Sequence, residues 1–121
     1  MQLTLESHGE LVIQSWEPGR LRINDKTIDR HCIVHADRAE FWQPPAPEAP
    51  AVADFVALIE LQPEVILFGT GAEQRFPAIT VVTEIMQQGI AFEVMDTGAA
   101  CRTFNILNGE QRRVVAALLV D

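Results

Sequence analysis

Two short stretches of this chain hold the residue types from which chemistry could be built, and each follows an apolar run. Gly69-Thr70-Gly71 comes after Val65-Ile66-Leu67-Phe68, and Asp96-Thr97-Gly98 comes after Ile90-Ala91-Phe92-Glu93-Val94-Met95. A glycine-rich turn leaving a strand can present backbone amides to an anion. This one is not a Walker A loop, because no Gly-Lys-Ser/Thr follows. Nor is it a full dinucleotide fingerprint, since Gln74 stands where the third glycine would be. The plainer account is that the glycines serve only a tight turn.

Asp96 reads first as a helix N-cap, and second as a crevice residue acting with Arg75 and Arg102. Cys101 falls in the first turns of the same segment. Helix amides would lower its pKa and Asp96 would raise it, while burial as a small hydrophobe is the commoner fate of a free cysteine. The candidate ligand-binding set is therefore Gly69, Thr70, Gly71, Asp96, Thr97, Gly98, Cys101 and Arg102, with a small anion as the ligand. None of these is assigned a catalytic role, because no histidine lies near Cys101 in sequence and no nucleophile triad is visible. His31, Cys32 and His35 look like metal ligands. On a strand, however, His31 and His35 share one face and Cys32 points to the other, so no metal and no cofactor is expected.

The elements that must position these residues follow from periodicity. Val65–Phe68 is apolar throughout, which suits a strand covered on both faces. Ile79, Val82, Ile85 and Met86 then form a helical stripe after Pro77, closed by Gly89. Ile90–Met95 repeats the strand, Phe104 and Leu107 mark the inner side of a following helix, and Asn108-Gly109 ends it. Val114–Val120 reads as a last buried strand. Upstream, Val52, Phe55, Val56 and Ile59 give a short amphipathic helix stopped before Pro63. The first third is antiparallel in character. Leu11-Val12-Ile13 and Leu21-Arg22-Ile23 flank Glu17-Pro18-Gly19, Asn24-Asp25-Lys26 makes a second turn, and one strand is expected over Thr27–His35. Gln43–Pro50, with four prolines, is a stiff crossover inside one domain spanning residues 1–121. Trp16, Phe41 and Trp42 are expected to pack rather than to stack on a ligand.

Composition sets the outer limits. The chain has 121 residues, 48% of them apolar, and a net charge of −8 with Lys26 as its one lysine. That charge opposes binding to nucleic acid or to anionic lipid. Two cysteines suit a reducing compartment, no targeting segment is visible in Met1–Leu11, and no apolar stretch is long enough to span a bilayer. A cytoplasmic location is the resulting expectation.

Pro63-Glu64-Val65-Ile66-Leu67-Phe68-Gly69-Thr70-Gly71 and Glu93-Val94-Met95-Asp96-Thr97-Gly98-Ala99-Ala100-Cys101-Arg102-Thr103-Phe104-Asn105 together resemble the small α/β Mth-domain family of unknown function. That family includes the third assembly factor of mitochondrial respiratory complex I and the adipogenesis-associated Mth-domain protein. The resemblance implies an α/β fold of three layers: a central mixed sheet, helices on one side, and a small N-terminal antiparallel β layer on the other. It also implies a last strand antiparallel to the rest. It transfers no catalytic residues. The function it implies is a non-catalytic protein-interaction domain, an assembly or stability factor for a respiratory-type complex, with another protein as partner. The competing function is a small-molecule or anion-binding domain, enzymatic or not, built on the two turns.

Overall fold

A Pro-Gly turn starts the chain's first sheet. In the computed structural model, which describes residues 11–121, β1 (Ile13–Glu17) and β2 (Arg20–Ile23) pair antiparallel across Pro18-Gly19. Gly19 takes φ +87°, as the third position of a type II turn requires. Asn24 and Asp25, with φ of 46° and 68°, then turn β2 into β3 (Lys26–Ile28). Two successive positive φ values make the tight hairpin turn that matches strand twist. The expectation about targeting segments rests largely on Met1–Glu10, which lie outside the described residues.

The single strand expected over Thr27–His35 is two strands in two sheets: β3 in the small sheet and β4 (Cys32–His35) in the large one. Burial explains the division. In β3 exposed Thr27 alternates with buried Ile28, as fits a sheet with one covered face, whereas Cys32, Ile33 and Val34 are all buried. β5 (Arg38–Phe41), which the sequence pattern does not announce, pairs antiparallel with β4 as an edge strand. Its Arg38 and Glu40 are the charges that edge strands tolerate.

Beyond the proline-rich crossover, a 3₁₀ turn (Val52–Phe55) runs into the single α turn α1 (Val56–Ile59). The expected stripe is corrected here. Phe55 and Leu58 are buried and Val56 is exposed, because the tighter 3₁₀ turn aligns residues three apart.

The second half alternates strand and helix: β6 (Val65–Gly69), α2 (Ile79–Met86), β7 (Ala91–Met95), α3 (Thr97–Gly109) and β8 (Val114–Leu118). The large sheet has the order β5-β4-β8-β6-β7. β6 and β7 are parallel neighbours, and β8 belongs to the same sheet. The expectation that the last strand opposes the others is corrected: β8 runs parallel to β6 and antiparallel only to β4. The crossover through α3 returns the chain in the direction it left.

The three-layer α/β class holds, with a finer arrangement than helices on one side. α1 and α2 cover one face of the large sheet over Phe55, Phe68, Phe92 and Trp42. α3 packs on the other face, beside the small sheet. The cause is handedness. From β6 to β7 the chain steps one way across the sheet and from β7 to β8 it steps the other way, so right-handed crossovers put the two helices on opposite faces. In α2 the inward side is Val81 and Ile85 with Val82 partly covered, and Ile79 and Met86 face outward, contrary to the expected stripe.

Candidate functional site

Opposite crossovers make the carboxyl ends of β6 and β7 a topological switch point, the place where open α/β sheets leave a crevice for ligands. The structure brings Gly69, Thr70, Gly71, Asp96 and Thr97 together there. It also fills the space between them. Thr97 N–H donates to the Gly71 carbonyl at 2.8 Å, and Gly71 N–H donates back to Thr97 Oγ1 at 2.8 Å. The Thr97 hydroxyl in turn donates to the Leu119 carbonyl at 2.6 Å. Thr70 N–H donates to the Met95 carbonyl at 2.9 Å. The amides of Thr70 and Gly71, which could have faced an anion, are thus spent within the fold.

The exit of β8 completes the closure. Leu119 N–H donates to the Gly69 carbonyl at 2.9 Å. Val120 is held on three sides: its carbonyl accepts from Gly19 N–H at 2.7 Å and Trp16 Nε1 at 2.9 Å, and its N–H donates to His31 Nδ1 at 2.9 Å. Gly71, at φ +92°, lies so close to this segment that a Cβ would meet the Asp121 carbonyl at 3.0 Å. Thr70 and Thr97 are fully buried as a result.

Asp96 is the N-cap of α3, its carboxylate accepting from Ala99 N–H at 2.8 Å. It forms no ion pair with Arg102 among the described residues. Arg75 and Arg102 do not converge: Arg75 borders the α2 side with Phe68, Pro77 and Leu119, and Arg102 lies beside Gly98 and Trp16 on the α3 side. Thr97 and Ala100 use their small size inside the domain, packing directly against Gly69.

Cys101 is buried in the same core as Cys32. Burial pushes its thiol up to about 12, Arg102 opposing and Asp96 adding to the shift. Cys32 is raised as well, by burial and by the neighbouring Cys101. Thiolate is scarce at neutral pH, so iodoacetamide should label Cys101 in the folded protein about 100-fold more slowly than free cysteine. Linkage supplies a second expected result. A thiol whose pKa is raised by folding keeps its proton while the unfolded chain releases its own. Stability is therefore whole below about pH 9, the ordinary thiol value, and falls as the pH climbs towards 12. Urea melts at pH 8 and pH 10.5 should show this loss, and it should shrink in Cys101→Ala.

Elsewhere, His31 Nδ1 is engaged by Val120, and among the described residues no group of three potential ligands is placed to hold a metal. Trp42 packs as expected, edge-on to Phe68 with ring centroids 5.9 Å apart. A groove of about 700 Å³ lies at the far end of the sheet between His35, Leu61, Asn108 and Arg112. Arg112 there faces Glu64 at 3.9 Å and His35 faces Glu40 at 3.9 Å, and burial lowers the His35 pKa. Sequence reasoning assigned no role to the outward side of α2. The available signal was that Ile79, Val81, Val82, Ile85 and Met86 leave α2 apolar on more than one face.

The fold and the closed strand ends define a three-layer α/β domain whose switch point is sealed by its own chain. The chain belongs to the family described as protein of unknown function (DUF498/DUF598), whose model matches residues 13–119. It is similar to NADH dehydrogenase (ubiquinone) 1 alpha subcomplex assembly factor 3 of Danio rerio, 35% identical over 94% of this chain and 67% of the relative. A 13 kDa major membrane protein of Francisella tularensis matches at 32% identity over 51% of this chain and half of that protein's length. Among solved structures, a Xanthomonas campestris protein superposes with a TM-score of 0.83 at 31% identity, covering 95% of this chain and 89% of its own. Among the described residues no helix is long and apolar enough to cross a membrane.

Proposed function

We propose that this chain is a non-catalytic protein-interaction domain that assists the assembly or stability of a multi-subunit complex of respiratory type. The observation that carries the proposal is its likeness, across 94% of its length, to a protein named as an assembly factor of NADH dehydrogenase. The geometry supports it from the other side. Thr70, Gly71, Asp96 and Thr97 are engaged within the domain, and Cys101 is a buried, protonated thiol. In this proposal Gly69, Thr70, Gly71, Asp96, Thr97, Gly98 and Cys101 form the frame, and Arg102, the exposed member, is free to contact a partner. Two free, buried cysteines are at home in a reducing cytoplasm, where the domain would meet a newly made subunit.

Crosslinking in the native cell, followed by purification and mass spectrometry, tests this. The expected result is stoichiometric recovery of subunits or assembly factors of one complex. Turnover of a metabolite by the purified protein, abolished by Asp96→Asn with the fold intact, would replace the proposal with an enzyme. Chemical-shift changes at Gly69–Gly71 on titrating phosphate would replace it with an anion-binding domain.

A further inference from the structure

Among the described residues β7 ends the large sheet, with no strand beyond it. Its backbone alternates in direction. Ala91 N–H donates to the Glu64 carbonyl and the Met95 carbonyl accepts from Thr70, so these residues face β6. Phe92 and Val94 therefore turn their N–H and C=O groups outward. The Val94 carbonyl confirms the direction, for it accepts from the side chain of Gln74 at 2.9 Å. Gln74 thus supplies one donor of the kind that a further strand would bring.

The same rim carries an unusual apolar surface. Phe76 is 69% exposed and Ile79 is 74% exposed, although each is a large hydrophobe. With Val82, Phe92 and Val94 they border a groove of about 420 Å³ alongside β7. Exposed Glu93 lies between Phe92 and Val94 and projects to the opposite face of the sheet.

We propose that this rim receives an extended segment of another protein, which adds to the sheet as a sixth strand beside β7. Its alternate side chains are apolar and cover Phe76, Ile79 and Val82, and a lysine or arginine between them stands near Glu93. This is strand addition, in which backbone bonds supply affinity and alternate pockets supply choice. The proposal rests on the interaction reading above and names its surface. A second copy of this chain fits less well. Antiparallel pairing of two β7 strands through Phe92 and Val94 sets Glu93 against its own equivalent, and like charges directly opposed are unfavourable. The net charge of −8 adds repulsion between copies and attraction for a basic segment.

The probe is a capped synthetic peptide of alternating valine and lysine, titrated into the whole protein and followed by amide chemical shifts. Shifts should concentrate at Phe92–Val94 and Gln74–Val82, with slowed amide exchange at Phe92 and Val94. Replacing the peptide's lysines with glutamate should weaken binding about tenfold, and Glu93→Lys should reverse that preference. Ile79→Asp, a substitution at an exposed site, should weaken binding by a similar factor, and Gln74→Ala should leave it intact or tighter. No shift at β7 up to millimolar peptide, or shifts confined to other elements, would overturn the proposal. So would dilution-dependent shifts at Phe92–Val94 without peptide, which would make the occupant a second copy. Partner subunits recovered equally by wild type and by the Ile79→Asp, Glu93→Lys protein would sink this surface and leave the interaction reading standing. If wild type recovers none, that reading fails while the peptide titration still judges the rim.

Discussion

Replacing Thr97 with valine should lower the stability of the domain by about 3 kcal/mol, the cost expected when a buried hydroxyl serving two buried backbone groups is removed. Valine keeps the shape, so the loss is almost wholly polar. Gly71 N–H would lose its acceptor at 2.8 Å and the Leu119 carbonyl its donor at 2.6 Å, and neither has water within reach at a site that is fully buried. The β-branched side chain also stays compatible with the first helical position, so helix propensity contributes little. Thr97→Ser is the control. It keeps both bonds, loses one methyl group, and should cost about 1 kcal/mol. In a thermal melt the valine variant should unfold roughly 10 °C below wild type. A valine variant within about 0.5 kcal/mol of wild type would show that the bonds add nothing net, and the serine variant falling furthest would assign Thr97 to packing instead.

That expectation could not have come from the sequence. Asp96-Thr97-Gly98 announces a cap, and Asp96 is the cap. What the linear pattern hides is the third partner, Leu119, 22 positions away, which the return of β8 brings across the strand ends. The same return explains why a legible crevice is closed. Strand, glycine turn and helix were readable from Val65–Gly71 and Ile90–Gly98, because local periodicity and turn chemistry decide them. Whether a switch point stays open depends on what the chain lays over it, and the three residues Leu118-Leu119-Val120 show no pattern beyond being apolar.

The misread elements have a common cause. In α2 the spacing Ile79-Val82-Ile85-Met86 was as helical as the true inner pair Val81 and Ile85, and periodicity cannot choose between two apolar faces. At Thr27–His35 the loss of alternation after His31 was the mark of a change of sheet. It became visible as such only once Cys32, Ile33 and Val34 were seen covered on both sides. The placement of α3 followed from strand order, which single-strand patterns do not encode.

Gly69→Ala should be strongly destabilising, costing about 2–3 kcal/mol, in the range for overpacking a filled site. The glycine is required here for space. A Cβ at Gly69 would stand 3.0 Å from Leu118 Cδ2, 3.1 Å from Ala100 Cβ and 3.1 Å from Thr97 Cα. Leu118 can turn away. The Thr97 backbone cannot move without stretching its own bonds to Gly71, so the strain should pass into the same closure that Thr97 holds. The two substitutions are therefore coupled. Gly69→Ala and Thr97→Val together should cost about 1 kcal/mol less than the sum of their separate effects, since the first already loosens what the second removes. Gly98→Ala gives the contrast. Gly98 lies in the first turn of α3 at ordinary φ, and a Cβ there would first meet the Asp96 carboxylate at 3.3 Å. There the gain in helix propensity, about 1 kcal/mol, should offset the tight contact and leave stability near that of wild type. Urea denaturation of the three single variants and the double variant decides the matter. Equal effects at Gly69 and Gly98 would mean that the strand–helix approach is loose, and full additivity would mean that Gly69 and Thr97 act through separate contacts.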